Sequence, residues 1–464
     1  MNKTDYSNYT SPFSWRYGSK EMRRIWSEEN KYRLWRRIWV ELARAQSKEG
    51  LVGKDELEDL EKNEDNLDIE RIWEIEKDTR HDVVAAIKEF AEKAKVGGGK
   101  IHLGATSMDI SDNAEALRIK EALNILETQL KLLLETFGEK IKKYASLVCM
   151  GYTHLQPAEP TTLGYRFAFY AQDLLMDLEF LQFVKQQLKA KGMKGAVGTS
   201  AGYVKLLDET KAEAMESGVL GRLGIEEFEI TNQTAPRKIE IWIGDLLSST
   251  AQSLYKFAFD LRIMQSPGFG EWQEPFGKAQ VGSSAMPFKK NPIKSEQICS
   301  LARLVSNLSK ITWDNAAHML LERTLDDSAN RRVAIPEMFL ALDEMLGSAI
   351  NIVEGLTIND KRITLNLNTY WLFSASELII VEAVKKGADR QKMHEVLREI
   401  SMEAWNQMHI GKDNPMESLL LENKEIKKYL KADEIRKLLN AKNHIGNATK
   451  KALELVNKIT SMVK

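Results

Sequence analysis

Residues 116–137 read ALRIKEALNILETQLKLLLETF, and the spacing of their apolar side chains decides the fold. Ala116, Ile119, Leu123, Leu126, Leu130, Leu133 and Phe137 follow one another in alternating steps of three and four. That rhythm turns one apolar seam to a single side of a helix, the pattern of helices packed lengthwise in a bundle. At a rise of about 1.5 Å per residue, some 30 residues of it would span roughly 45 Å.

Towards the N-terminus, residues 20–49 carry Trp35, Ile38, Trp39 and Leu42 in the same rhythm, and Gly50 offers a stop. Towards the C-terminus, further long helices are expected at 160–190, opened by Pro160, at 237–265, stopped by Pro267, and at 293–320, opened by Asn291-Pro292. No alternating strand pattern is convincing, and GIEEFEI at 224–230 is ambiguous. The sequence predicts an all-α chain with an N-terminal helical domain (1–108), a central long-helix bundle (109–357) and a C-terminal helical domain (358–464). The charged pairs of KEIKKYLKADEIRKLL mark the last of these as a solvated helical layer. Seams that are apolar on more than one face imply a homo-oligomer.

Length and composition agree with this division. A chain of 464 residues exceeds a single core and suggests three domains of about 100–200 residues each. With 66 Lys and Arg against 67 Asp and Glu, there is no general electrostatic footprint for nucleic acid or an anionic membrane. Anion binding must be local. The first eighteen residues lack a signal-peptide core, and no window reaches the length of a membrane span. Cys149 and Cys299 lack metal-ligand spacing and read as buried apolar groups of a cytoplasmic protein without structural zinc.

Four polar stretches interrupt the helices: RHD at 80–82, KIHLGATSMDISD at 100–112, GYTHLQPAEPTT at 151–162 and the long segment 267–292. The first three hold His81, His102 and His154, each of which reads either as a proton-transfer group or as a cap or packing residue; His102 and His318 take the structural reading. His81-Asp82 lacks the partner pair that a metal site needs. The segment 267–292 has four prolines and four glycines and ends in GSSAMPFKKNP at 282–292. It is not a phosphate loop, and GAVGTSAG at 195–202 is not a dinucleotide loop. Its serines, Lys289 and a helix start after Asn291-Pro292 form an environment for an anion, in which a serine oxyanion could be stabilised. In LLERTLDDSANRR at 320–332, Ser328 and Arg332 share a helical face and Arg323 lies one turn outside. That stretch reads equally as an anion site or as a helix end neutralised by Glu322, Asp326 and Asp327.

GSSAMPFKKNP resembles the signature loop of the fumarase/aspartase superfamily, GSSxMPxKxN. RY at 16–17, RHDVVA at 80–85, TSMD at 106–109, YTHLQPAEPTT at 152–162, NQT at 232–234 and ERTLDDSANRR at 322–332 resemble its adenylosuccinate lyase branch. These motifs run from residue 16 to 332, and the C-terminal quarter carries none. The resemblance implies a three-domain α-helical fold and a homotetramer whose sites each draw on three chains. It implies anti β-elimination of fumarate from adenylosuccinate and from the analogous succinocarboxamide ribotide, with no metal or organic cofactor. By position, Ser283 resembles the general base, His154 the general acid, and His81 the histidine that supports the acid. Lys289 and Asn291 match contacts to the succinyl carboxylates. Thr106, Ser107 and Gln233 match substrate contacts, and Arg16, Tyr17, Arg323, Ser328 and Arg332 match positions around the nucleotide and its phosphate. Arg80, Asp82, Thr153 and Ser284 stand inside the same motifs and join the substrate-binding set. Phe288 and Gln297 depart from the pattern, in which His or Tyr and Arg respectively are found. Argininosuccinate lyase, aspartase, fumarase and carboxymuconate cycloisomerase share the loop but fit RY, RHD and ERTLDDSANRR poorly. A helical scaffold without activity is the alternative of another class.

Overall fold

A computed structural model describes residues 7–463. The helix expected over 20–49 is two: α1 (Lys20–Ile25) and α2 (Glu28–Lys48). The break falls where Ser27 accepts from the backbone N–H of Asn30 and so caps α2, an N-terminal signal inside the periodic stretch. Trp35, Ile38, Trp39 and Leu42 of α2 are all buried, and Gly50 turns the chain at φ 76° just past the helix end. α3 (Ile69–Thr79) and α4 (Asp82–Lys93) follow, then α5 (Ser107–Tyr144), whose 38 residues give it a length of about 57 Å. Every apolar residue of the 116–137 seam is buried.

The stretch 151–162, read as a loop, belongs to an antiparallel hairpin of β1 (Val148–Thr153) and β2 (Gln156–Thr162). Pro160 therefore lies inside β2 and does not open the next helix, α6 (Leu163–Gln187). Two prolines argue against a central strand, but both strands of an isolated ribbon are edge strands, where a missing N–H costs little. The pairing shifts register between Met150 and Tyr152, and a Cβ on the intervening Gly151 would lie 2.5 Å from the Glu159 carbonyl oxygen. GIEEFEI forms no strand and contributes one isolated bridge, Ala190 to Glu227.

α7 (Lys238–Met264) and α8 (Ile293–Ala317) match their expected spans within three residues, separated by the short strand β3 (Trp272–Gln273). The helical face read at Ser328 and Arg332 belongs to α9 (Asp326–Gly355), which continues through Pro336. β4 (Thr357–Ile358) pairs with β3, and α10 (Asp360–Lys385) leads into shorter C-terminal helices. The all-α class holds, and none of the described helices is long and apolar enough to cross a membrane.

The chain groups into two compact units whose limits cut through the long helices. One takes residues up to Leu130, Asp177–Leu254 and Cys299–Gly347. Its core gathers Trp35, Trp39, Ile72, Phe90, Met215 and Leu220. The other takes Lys131–Met176, Tyr255–Ile298 and residues from Ser348 onward. There the rings of Phe137 and Tyr170 lie 5.2 and 5.5 Å from Phe257, and Phe167 meets Trp272 edge-on at 5.5 Å. Cys299 in the first unit and Cys149 in the second are buried and form no disulfide, and burial pushes the Cys149 thiol up to about 11.

Candidate active site

In the first unit, α3 ends and α4 begins with no loop between them. Arg80 makes the turn in the left-handed region at φ 51°, donating its N–H to the Glu76 carbonyl. His81 is the N-cap of α4, and its Nδ1 accepts from the Val84 N–H at 3.4 Å. That bond assigns the neutral ring's proton to Nε2. Asp82 opens α4 and accepts from Arg332 Nη2 at 2.6 Å, joining the RHD stretch to the ERTLDDSANRR stretch 250 residues away. Against the pull of burial, Asp82 holds the Arg332 guanidinium above its ordinary range.

Arg323 donates to Asp327 at 2.8 Å, so the helix-end reading is partly met at this position, while Ser328 and Arg332 lie within the first two turns of α9. Asp327 is a hub that sequence spacing did not reveal. Burial would push its carboxyl up, but Arg237, Arg331 and Arg323 outweigh burial and hold it below the usual range. Arg237 bonds Asp327 at 2.9 Å, Asp112 at 3.0 Å and Glu240 at 3.2 Å, fastening α5, α7 and the start of α9 together. The backbone N–H of Gln233 reaches the Glu322 carbonyl at 3.2 Å, placing NQT beside ERT.

Thr106 and Ser107 form the entry to α5. The Thr106 N–H donates to Asp109 Oδ2 at 3.0 Å, and Asp109, fully buried, also pairs with Lys191 and accepts from the Tyr203 hydroxyl. Arg16 and Tyr17 sit on a turn held by Arg23, which donates to the carbonyls of Tyr17 and Gly18. The N–H groups of Gly18 and Ser19 in turn reach Glu344 and Asp343 of α9. His102 keeps its structural reading: Trp39 Nε1–H donates to its Nδ1 at 3.0 Å, and burial lowers its pKa to about 4.

In the second unit, Thr153 ends β1 and Gln156 begins β2, leaving His154 and Leu155 as a two-residue turn. Both have positive φ, 54° and 60°, the type I′ conformation that Asn-Gly adopts without strain. Two bulky residues in that turn hold of order 1–3 kcal/mol of strain each, and strain of this kind collects at functional sites. His154 is exposed at the tip.

The signature loop folds on itself. Asn291 Nδ2 donates to the Gly282 carbonyl at 2.9 Å, and a Cβ on Gly282 would lie 2.0 Å from the Lys289 carbonyl oxygen, so only glycine fits. Ser283 Oγ accepts from the N–H groups of Met286 at 3.1 Å and Ala285 at 3.4 Å. Those donors are aimed where an alkoxide's charge would sit. The helix tip is not: the N–H groups of Lys294 and Ser295 and the Ser295 hydroxyl all bond the buried Glu274 carboxylate, at 3.2, 3.0 and 2.9 Å. The expectation that the α8 N-terminus stabilises the serine is corrected, because an internal carboxylate already occupies it. Ser284, Phe288 and Lys289 are exposed, and Gln297 accepts from Lys294 Nζ at 3.0 Å.

The cleft of about 350 Å³ lined by Gln265, Trp272, Thr357 and Lys361 contains none of these residues. Among the described residues one group could hold a metal ion, Glu159, Glu377 and His444; its carboxylates are exposed and none of the three is a candidate site residue.

A family model described as "Lyase" matches residues 15–306, and one described as "Adenylosuccinate lyase C-terminus" matches 373–452, a region in which we find no motif. The chain is 38% identical to adenylosuccinate lyase of Schistosoma mansoni over 90% of this chain and 88% of that protein. With the Saccharomyces cerevisiae protein of the same name it shares 36% over 98% and 95%, and with that of Methanocaldococcus jannaschii 38% over 94% and 93%. In fold it is similar to 3-carboxy-cis,cis-muconate lactonizing enzyme from Pseudomonas putida (TM-score 0.86, 22% identity, 97% of this chain and 99% of that one). A fumarate lyase from Mesorhizobium sp. BNC1 gives 0.85 at 21% identity, over 97% and 99%.

Proposed function

This chain belongs to the adenylosuccinate lyase family, and on that premise we propose that it cleaves adenylosuccinate to AMP and fumarate, and the analogous succinocarboxamide ribotide to its aminoimidazole product and fumarate. The observation that carries the reading is the end-to-end match to adenylosuccinate lyases, 36% identity over 98% of this chain and 95% of the yeast protein.

The roles are those that the motifs' resemblance to the family implies. Ser283, as alkoxide, takes the proton from the carbon beside a succinyl carboxylate, the C–H electron pair moves into that carboxylate to give an aci-carboxylate dianion, and it then returns to form the new C=C bond as the C–N bond breaks. The departing nitrogen keeps the C–N pair and takes a proton from His154 on the opposite face. The Ala285 and Met286 N–H groups support the alkoxide, and Lys289 and Asn291 hold the succinyl carboxylates as negative charge builds there. His81 supports the acid. Arg332, Ser328, Arg323, Arg16 and Tyr17 take the nucleotide end, with Asp82 holding Arg332 in place.

We further propose that the chain acts as a cytoplasmic homotetramer with sites shared between chains, and that it works as three domains, 1–108, 109–357 and 358–464. The exposure of His154, Lys289 and Arg332 in the single chain fits sites completed by other copies.

The test offers the purified protein adenylosuccinate, argininosuccinate, aspartate and malate separately and follows fumarate. Release from adenylosuccinate alone is expected. Release from any of the other three in its place would move the chain to another branch.

A further inference from the structure

Glu271 is a fully buried carboxylate that the roles assigned so far do not use. It lies twelve residues before Ser283, at the root of the signature loop. Its carboxylate accepts from the Tyr152 hydroxyl at 3.3 Å, Arg166 Nη1 at 3.2 Å and Asn366 Nδ2 at 3.0 Å. Arg166 passes the hold on, donating through Nη2 to the Met150 carbonyl of β1 at 2.5 Å. The Tyr152 ring stacks edge-on against Phe269 at 4.9 Å, so hairpin and loop root also meet through an aromatic pair. Glu271's own backbone is fastened at both ends, its N–H to the Met264 carbonyl at 3.1 Å and its carbonyl to the Asn359 N–H at 2.8 Å.

We propose that Glu271 is a positioning residue that holds the β1–β2 hairpin, and with it His154, against the root of the loop that carries Ser283. The inference rests on the assignment of His154 as the acid. A strained turn persists only where its surroundings over-determine it, and the His154-Leu155 turn has no glycine to relax it. Tyr152 is two residues from His154, about 7 Å along the strand, so a shift at the hub reaches the imidazole almost undamped. Buried ion pairs add little net stability compared with apolar packing. A charged hub here instead gives direction: three donors converge on one carboxylate and admit one register of the hairpin. Burial first, and then the Glu271 charge, push the Tyr152 hydroxyl well up from its ordinary value, which keeps it a donor.

A double-mutant cycle tests this. Glu271→Gln is expected to lower kcat by about 10- to 100-fold with KM changed less than about twofold, since a displacement near 1 Å costs rates of that order. In the His154→Gln background the same substitution should cost less than about twofold, because the group it positions is gone. A loss of equal factor in both backgrounds, or unchanged kcat in a folded Glu271→Gln protein, would overturn the inference. If Glu271→Gln does not fold, Tyr152→Phe, which removes a single hydroxyl, carries the same cycle with the same two outcomes. Full activity of His154→Gln on adenylosuccinate overturns instead the assignment of the acid, a failure read from the single variant alone.

Discussion

His154 stands in a backbone conformation that favours Asn or Gly, and its imidazole is exposed there. His154→Asn should therefore stabilise the protein by about 0.5–1 kcal/mol in urea unfolding while lowering kcat by at least about 100-fold. A variant both active and unchanged in stability would contradict both assignments. Ser283→Ala should lose a similar factor in kcat with far-UV helicity intact. Because one group must be protonated and the other deprotonated, kcat/KM should trace a bell between pH 6 and 9; a flat profile would speak against the pair. His102 answers to pH in another way. Its pKa is about 4 in the fold against an ordinary 6.5, since burial disfavours the imidazolium and Trp39 needs Nδ1 as an acceptor. Between those values the unfolded chain binds the proton and the folded chain does not, so acid favours unfolding across this window. Stability should fall by on the order of 2–3 kcal/mol from pH 7 to pH 4, and His102→Gln, whose side-chain oxygen still accepts from Trp39, should flatten that slope.

At the scale of elements, the start of α8 shows how far a helix end can depend on a distant residue. Glu274, buried, satisfies two backbone N–H groups and the Ser295 hydroxyl in the first turn of the helix. Glu274→Ala leaves these donors buried without partners and should lower stability by about 1–3 kcal/mol, read as a lower urea midpoint. Asn291-Pro292 was legible as a helix start from its chemistry alone, whereas the cap that completes it was not, because Glu274 lies twenty residues upstream in a loop. The hairpin was missed for the opposite reason. Pro157 and Pro160 argue locally against a strand, and only pairing with β1 makes them acceptable. Ser27 likewise caps α2 within a stretch whose apolar period runs on uninterrupted.

For the whole molecule, shared sites lead to a mixing experiment. If His81 and His154 reach one site from different chains, His81→Gln and His154→Gln proteins, each nearly inactive, should regain up to about a quarter of wild-type activity when dissociated and reassembled together. No recovery would place both histidines on one chain, and sedimentation would report the tetramer directly. The long-helix architecture was legible in residues 116–137, since burial of a seam is a matter of period, and period is local. The candidate residues were legible as motifs, since each chemistry needs its own residue types close together in the chain. What the tertiary structure alone decided is which groups hold them. Asp82 on Arg332, Asp327 on Arg237, Glu274 on the α8 tip and Glu271 beneath the hairpin join partners from 20 to 250 residues apart. A carboxylate's partner is chosen by where the packed helices bring a cation or an N–H within about 3 Å in a dry interior, and no local pattern in the chain encodes that meeting.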